Sequence, residues 1–232
     1  MRALVFILLL TLGVSAQEHP LEIDLVPPPP SVDITFTVMP ASSDPIEPDW
    51  QPPPQPCRVC REMPLSGVCL CHEPLTQTLA TNLLKKIERA VSSATGNRIK
   101  LSRPISIRAV SSQRLKQMGG ERLLGLYEDD VIWVSYELNR RQATSVIAHE
   151  LGHAWFFQHR PDVDTPTELL FEGFAEWISF LALVELGDFD GAAQIEYADQ
   201  SIYGRGARKL IARHREDGLE VVLGLVLTQR SL

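Results

Sequence analysis

The segment from His149 to His153 constrains this chain more than any other part of its sequence, and it reads His-Glu-Leu-Gly-His. On an α-helix, residues four apart lie on one face, so the two histidines project side by side. Neutral imidazole nitrogens are good zinc ligands. Glu150 follows the first histidine, where its carboxylate reaches a water activated by the metal rather than the metal itself. This is the H-E-x-x-H pattern, in which the glutamate is the expected general base.

Apolar residues flank this motif on both sides. Residues 143–148 precede it and residues 154–157 follow it, and most of them are apolar. The alternative interpretation is a chance arrangement on a solvated helix. A buried helix argues against chance, because buried ionisable groups are costly unless a partner or a metal satisfies them.

A second helix is predicted from about Thr167 to Leu186, and it carries two glutamates. The spacing from His153 to Glu172 resembles that of the glutamate zincins (gluzincins), in which a glutamate on the next helix is the third ligand. Glu176 lies four residues further on the same face and is the alternative ligand. We favour Glu172 as the ligand and Glu176 as the group that orients a histidine through its other ring nitrogen.

Residues 1–16 are predicted to be a secretory signal peptide. Arg2 gives a positive start, residues 3–14 are almost wholly apolar, and small residues precede Gln17. The apolar run is too short for a comfortable transmembrane helix. We therefore expect a secreted or periplasmic protein with no transmembrane segment after signal cleavage.

Residues 17–56 contain most of the 17 prolines, and we interpret them as a linker or exposed arm. The formal net charge of the chain is −7, without a basic cluster. An acidic chain of this kind disfavours nucleic acid as a partner. The expected partner is a protein or peptide substrate of unknown identity.

All four cysteines fall within residues 57–73, as Cys57 with Cys60 and Cys69 with Cys71. Two close pairs form a small zinc-knuckle pattern. Disulfides are the alternative, because a secreted protein meets an oxidising compartment. A segment too small to bury a hydrophobic core needs either a bound zinc ion or disulfide bonds to be stable.

Residues 74–232 are predicted to form one α+β domain, mainly helical with a small β-sheet. The pattern predicts a helix over 75–93, a strand over 105–110, a hairpin of 123–127 and 131–134, and a helix over 140–159 after Asn139 as N-cap. A later helical segment carries Tyr197 and Tyr203. Either phenol is a suitable hydrogen-bond donor to a tetrahedral intermediate.

Four segments together resemble the DA-one-like peptidases, a LIM-associated family of zinc metallopeptidases of gluzincin type. The segments are 57–63 with 69–71, 147–155, 172–173, and 203–206 with Arg208 and 218–219. The resemblance implies a zincin-like domain, preceded by the family's last zinc knuckle. It also implies zinc at His149, His153 and Glu172, with Glu150 as base, and it favours Tyr203 over Tyr197. The knuckle's second half is Cys-x-Cys and a signal peptide is present, so the family's ubiquitin-linked substrates are not carried over.

The sequence therefore predicts a secreted or periplasmic zinc-dependent peptidase. The alternative is a non-catalytic, zinc-containing binding module that recruits a partner through the knuckle and the proline-rich arm. The intact Glu150 favours the enzyme, because a structural metal site needs ligands but no base.

Overall fold

The computed structural model of the chain describes residues 74–120, 123–160, 167–198, 201–229 and 232. The predicted signal peptide, proline-rich arm and cysteine knuckle therefore lie outside the described residues. In chain order the described elements are α1 (Gln77–Ala94), β1 (Ser106–Val110), α2 (Ser112–Gly119), β2 (Gly125–Glu128), β3 (Val131–Ser135), α3 (Arg140–His159), α4 (Glu168–Glu185), α5 (Phe189–Tyr197), α6 (Ile202–Asp217) and α7 (Leu219–Thr228). Helices dominate and one small sheet accompanies them, which confirms the predicted α+β class.

Helices α3 and α4 begin where the sequence predicted. Asn139 caps α3 through a capping box with Gln142, whose side chain bonds back to the Asn139 backbone. Thr167 caps α4 through a hydrogen bond from the Leu170 amide. These caps satisfy backbone donors that a helix start otherwise leaves unpaired.

The sheet has the order β1-β3-β2, with β1 parallel and β2 antiparallel to β3. Asp129 and Asp130 connect β2 to β3, and both have positive φ angles of 49° and 60°. A two-residue turn of this kind matches the twist of an antiparallel hairpin. The predicted hairpin is thus confirmed, and β2 is an edge strand.

Side chains alternate between the two faces of the sheet, as a period of two requires. Ile107, Ile132 and Val134 join the main core, which includes residues of α1 and α3. The opposite face forms a smaller cluster around Leu115 of α2 and Leu126 of β2. The sequence did not predict α2.

Helices α3, α4 and α6 pack through very small residues. A Cβ on Gly152 of α3 would lie 2.7 Å from the Ala175 Cα of α4. A Cβ on Gly173 of α4 would lie 2.6 Å from the Gly206 Cα of α6. The backbones are therefore in direct contact, which brings short side chains on neighbouring helices within reach of one another.

Helix α4 is the centre of the helical layer, because α1, α3, α5 and α6 all contact it. Its long apolar sequence is explained by this burial. In the described ranges, none of the helices combines the length and apolarity that a bilayer crossing requires.

Candidate metal centre

Helices α3 and α4 bring three ligand-type side chains to one point. His149 Nε2 lies 2.9 Å from His153 Nε2. Glu172 Oε2 lies 3.2 Å from His149 Nε2 and 3.5 Å from His153 Nε2. Within the described ranges these residues form a buried group that has the side chains and spacing to hold a metal ion. The geometry agrees with the set predicted from the H-E-x-x-H motif and Glu172.

The spacing of these atoms fits a tetrahedral metal. Zinc bonds of about 2.0–2.1 Å to nitrogen and oxygen place tetrahedral ligand atoms roughly 3.3 Å apart. Glu172 Oε1 and the Nδ1 atoms of His149 and His153 are buried without a hydrogen-bond partner among the described residues. Unsatisfied buried polar atoms are costly, so the site as built favours an occupant that these ligands can bind.

The centre is also electrostatically unusual. Burial lowers the pKa of His149, but the nearby carboxylates of Glu172 and Glu176 outweigh this effect and raise the pKa well above the ordinary value. Burial raises the pKa of Glu172, and the two imidazoles more than offset this and lower it. The buried carboxylates therefore favour a positive charge among the ligand atoms, and a bound cation would supply one.

Glu150 is buried on α3 beside the edge strand β2. A Cβ on Gly125 would lie 2.8 Å from Glu150 Oε1, and the backbone amide of Tyr127 donates a hydrogen bond to the same carboxylate. Burial raises the pKa of Glu150, while the neighbouring imidazoles oppose the increase. The carboxylate is thus held in place by backbone and is biased towards accepting a proton.

Glu176 lies on the far side of His149 from Glu172. Its Oε1 is 3.6 Å from His149 Nδ1, whereas Glu172 approaches His149 Nε2. The two glutamates therefore contact opposite nitrogens of one imidazole. This arrangement is the one expected when Glu172 is the ligand and Glu176 orients the ring.

The two candidate tyrosines have very different surroundings. Tyr197 is 75% exposed at the end of α5, whereas Tyr203 is buried in the first turn of α6. The Tyr203 ring lies 6.2 Å from the His149 ring. Burial and nearby carboxylates, Glu172 foremost, raise the pKa of Tyr203, so its hydroxyl keeps its proton.

Three neighbours of the centre were not predicted from the sequence, namely Gly125, Tyr127 and Phe171. The Phe171 ring stacks on the His153 ring at 4.1 Å between centroids. A lone glycine in a strand pattern is a signal of close backbone approach, and it was available at Gly125. Cys57, Cys60, Cys69 and Cys71 lie outside the described residues.

Comparisons with known proteins give no match for this chain. No protein-family model, no curated protein and no solved structure matches it.

Proposed function

We propose that this chain is a zinc-dependent peptidase of gluzincin type, with a zincin-like domain over residues 74–232. The observation that carries the proposal is the convergence of three ligand atoms within 4.8 Å, contributed by His149, His153 and Glu172. The buried Glu150 carboxylate beside them is the second requirement, because hydrolysis needs a base as well as a metal.

The donor set favours zinc among the common divalent ions, since two imidazoles and one carboxylate leave a fourth position for solvent. Zn²⁺ held by these residues would supply a Lewis acid that lowers the pKa of water and polarises a peptide carbonyl. Glu150 accepts the proton of the attacking water and returns it to the leaving amine. The Tyr127 amide and the close packing of Gly125 keep the carboxylate oriented for both transfers.

Tyr203 is proposed as the donor to the developing oxyanion. Its raised pKa keeps the hydroxyl protonated, and its ring lies beside His149. A preplaced donor stabilises charge that appears only in the transition state. Glu176 assists indirectly by fixing the orientation of the His149 ring.

The substrate is a protein or peptide. In zinc peptidases an edge strand beside the active-site helix often binds extended substrate backbone, and we propose that β2, which lies beside Glu150, has this role. The predicted secreted or periplasmic location and the zinc knuckle are sequence-based parts of this proposal, and they concern residues 1–73.

A second candidate function is a non-catalytic binding module with a structural metal centre. The observation in its favour is burial, because the side chains of His149, Glu150, His153 and Glu172 are all nearly inaccessible. A structural site is closed, whereas a catalytic one needs access for solvent and substrate. Metal content measured together with peptide turnover separates the two candidates.

The decisive experiment compares the wild-type chain with Glu150→Gln. Zinc content is measured by elemental analysis, and hydrolysis is followed on a mixed peptide library with and without a chelator. We expect Glu150→Gln to retain zinc and to lose about 10²–10⁴-fold in turnover, because general base catalysis contributes that much. Glu185→Gln, an exposed change on α4, is the matched control.

Two results would contradict the enzyme proposal. Hydrolysis by Glu150→Gln at the wild-type rate would remove Glu150 as the base. Stoichiometric zinc in the wild-type chain without turnover of any library member would favour the binding module.

A further inference from the structure

The side chain of Phe157 continues the ligand face of α3 beyond the two histidines. His149, His153 and Phe157 are each four residues apart, so all three project from one side of the helix. Both imidazoles are buried, whereas Phe157 is 43% exposed. The Phe157 ring therefore reaches the surface one helical turn beyond His153, on the side of α3 that carries the two imidazoles.

Two further aromatic rings pack against Phe157. The Phe171 ring of α4 meets it edge-on at 5.3 Å, and the Tyr127 ring of β2 stacks on it at 6.1 Å. We call these three rings the aromatic wall. The wall is continuous with the centre, because Phe171 stacks on His153 and the Tyr127 amide bonds to Glu150.

Polar contacts at the rim fix the position of the Tyr127 ring. Its hydroxyl donates to Asp130 Oδ1 at 2.7 Å, and Arg103 Nε donates to Asp130 Oδ2 at 2.6 Å. Folding has therefore already restricted the ring, and a ligand that lies against it meets a preorganised surface. The apolar faces of these rings are suited to contact with a large apolar side chain.

We infer that the aromatic wall selects a peptide substrate with a large apolar or aromatic side chain next to the bond that is cleaved. This inference rests on the proposed function and names the substrate class of the same site. The physical reason is that such a side chain leaves water when it packs on Phe157, whereas alanine buries little area and aspartate would lose hydration.

Mass spectrometry first identifies the bond that is cleaved. The test then uses peptides that are identical except at a residue flanking that bond, which is phenylalanine, leucine, alanine or aspartate in turn. We expect wild type to prefer phenylalanine and leucine. Phe157→Ala should reduce the ratio of kcat/KM for phenylalanine over alanine by about 10-fold or more, as expected for loss of an apolar contact. Phe157→Leu should keep most of the preference, and the ratio should not change in Phe189→Ala, which truncates an exposed phenylalanine on α5.

A binding measurement makes the outcome independent of turnover. Calorimetry on the full-length Glu150→Gln chain compares two peptides that differ only by phenylalanine or alanine at one central position, with and without the added change Phe157→Ala. Tighter binding of the phenylalanine peptide that requires Phe157 supports the inference even when wild type cleaves nothing. The lack of cleavage would in that case contradict only the proposed function. Cleavage with the same peptide preference in wild type and Phe157→Ala would overturn the inference and leave the peptidase standing. Absence of both cleavage and Phe157-dependent binding would overturn both.

Discussion

Gly125 and Glu150 approach so closely that a side chain cannot fit between strand β2 and helix α3. A Cβ on Gly125 would lie 2.8 Å from Glu150 Oε1 and 2.5 Å from Val146 Cγ1. Gly125→Ala should therefore displace the side chains of Glu150 and Val146, neither of which is a proposed metal ligand. We expect zinc content to be unchanged and kcat to fall about 10²-fold, since misplacement of a reacting group by 1 Å has an effect of that size.

Gly224→Ala is the control for this change. A Cβ on Gly224 of α7 meets no atom within 4 Å. Alanine in a helix is up to about 1 kcal/mol more favourable than glycine, so this variant should be as stable as wild type or more stable, with full activity. Full activity in Gly125→Ala would show that Glu150 does not depend on this packing.

Glu176 is predicted to set the metal affinity through His149. Replacing its carboxylate in Glu176→Gln removes the negative charge 3.6 Å from His149 Nδ1. Loss of a group that orients a metal-binding histidine typically weakens metal affinity by about 10–100-fold, and we expect Glu176→Gln to bind zinc more weakly by that factor. Competition with a chromophoric chelator measures the change, and Glu185→Gln on the exposed end of α4 is the control. Equal zinc affinity in Glu176→Gln and wild type would argue against an orienting role.

Asp188 should make stability depend on pH. It caps α5 through the Gly191 amide and accepts hydrogen bonds from the Arg141 guanidinium of α3, one of them from Nε at 2.7 Å. Burial opposes ionisation of Asp188, but the bonds from Arg141 and Gly191 outweigh it and lower the pKa below the ordinary 3.8. A lowered pKa means that this stability is present above pH 3.8 and is lost as the pH falls through the folded-state value.

The variant Asp188→Asn keeps the helix cap and removes the charge. Its deficit in free energy of unfolding relative to wild type should be largest near pH 7 and should shrink below about pH 4. Urea unfolding at several pH values measures this. Asp190→Asn is the control, because Asp190 is largely exposed and 3.7 Å from Arg141. A deficit that stays constant across this range would show that the ion pair contributes nothing.

The contact between α4 and α6 should tolerate no added volume. A Cβ on Gly206 would lie 2.3 Å from the Leu169 carbonyl oxygen and 2.6 Å from the Gly173 Cα. Gly206→Ala should therefore cost about 1–3 kcal/mol of unfolding free energy, the usual range for overpacking. Urea unfolding measures it, with Gly224→Ala again as the comparison. Stability equal to wild type would mean that α6 shifts without cost.

The sequence predicts well whatever depends on neighbouring residues. Asn139 and Thr167 are the N-cap residues at which helices α3 and α4 begin, and the pair Asp129-Asp130 forms the hairpin turn. Helix α2 was missed because it is short and Leu115 is its only buried residue, which leaves no apolar period to detect.

The ligand set shows which part of the site local sequence patterns cannot predict. The spacing of His149 and His153 is decided within one helix, whereas the position of Glu172 depends on how α4 packs against α3. That packing rests on the contact of Gly152 with Ala175, which no periodicity reveals. Burial likewise separates Tyr203 from Tyr197, although sequence spacing treats them alike. The catalytic role of Tyr203 stays a prediction.

Because α3 supplies both imidazoles and α4 the Glu172 carboxylate, a bound ion would act as a crosslink between two helices at the heart of the described domain. A ligand that binds only the folded state raises its apparent stability. Purification in chelating buffers would thus yield a protein that melts at a lower temperature, and zinc added back would restore heat resistance even in Glu150→Gln.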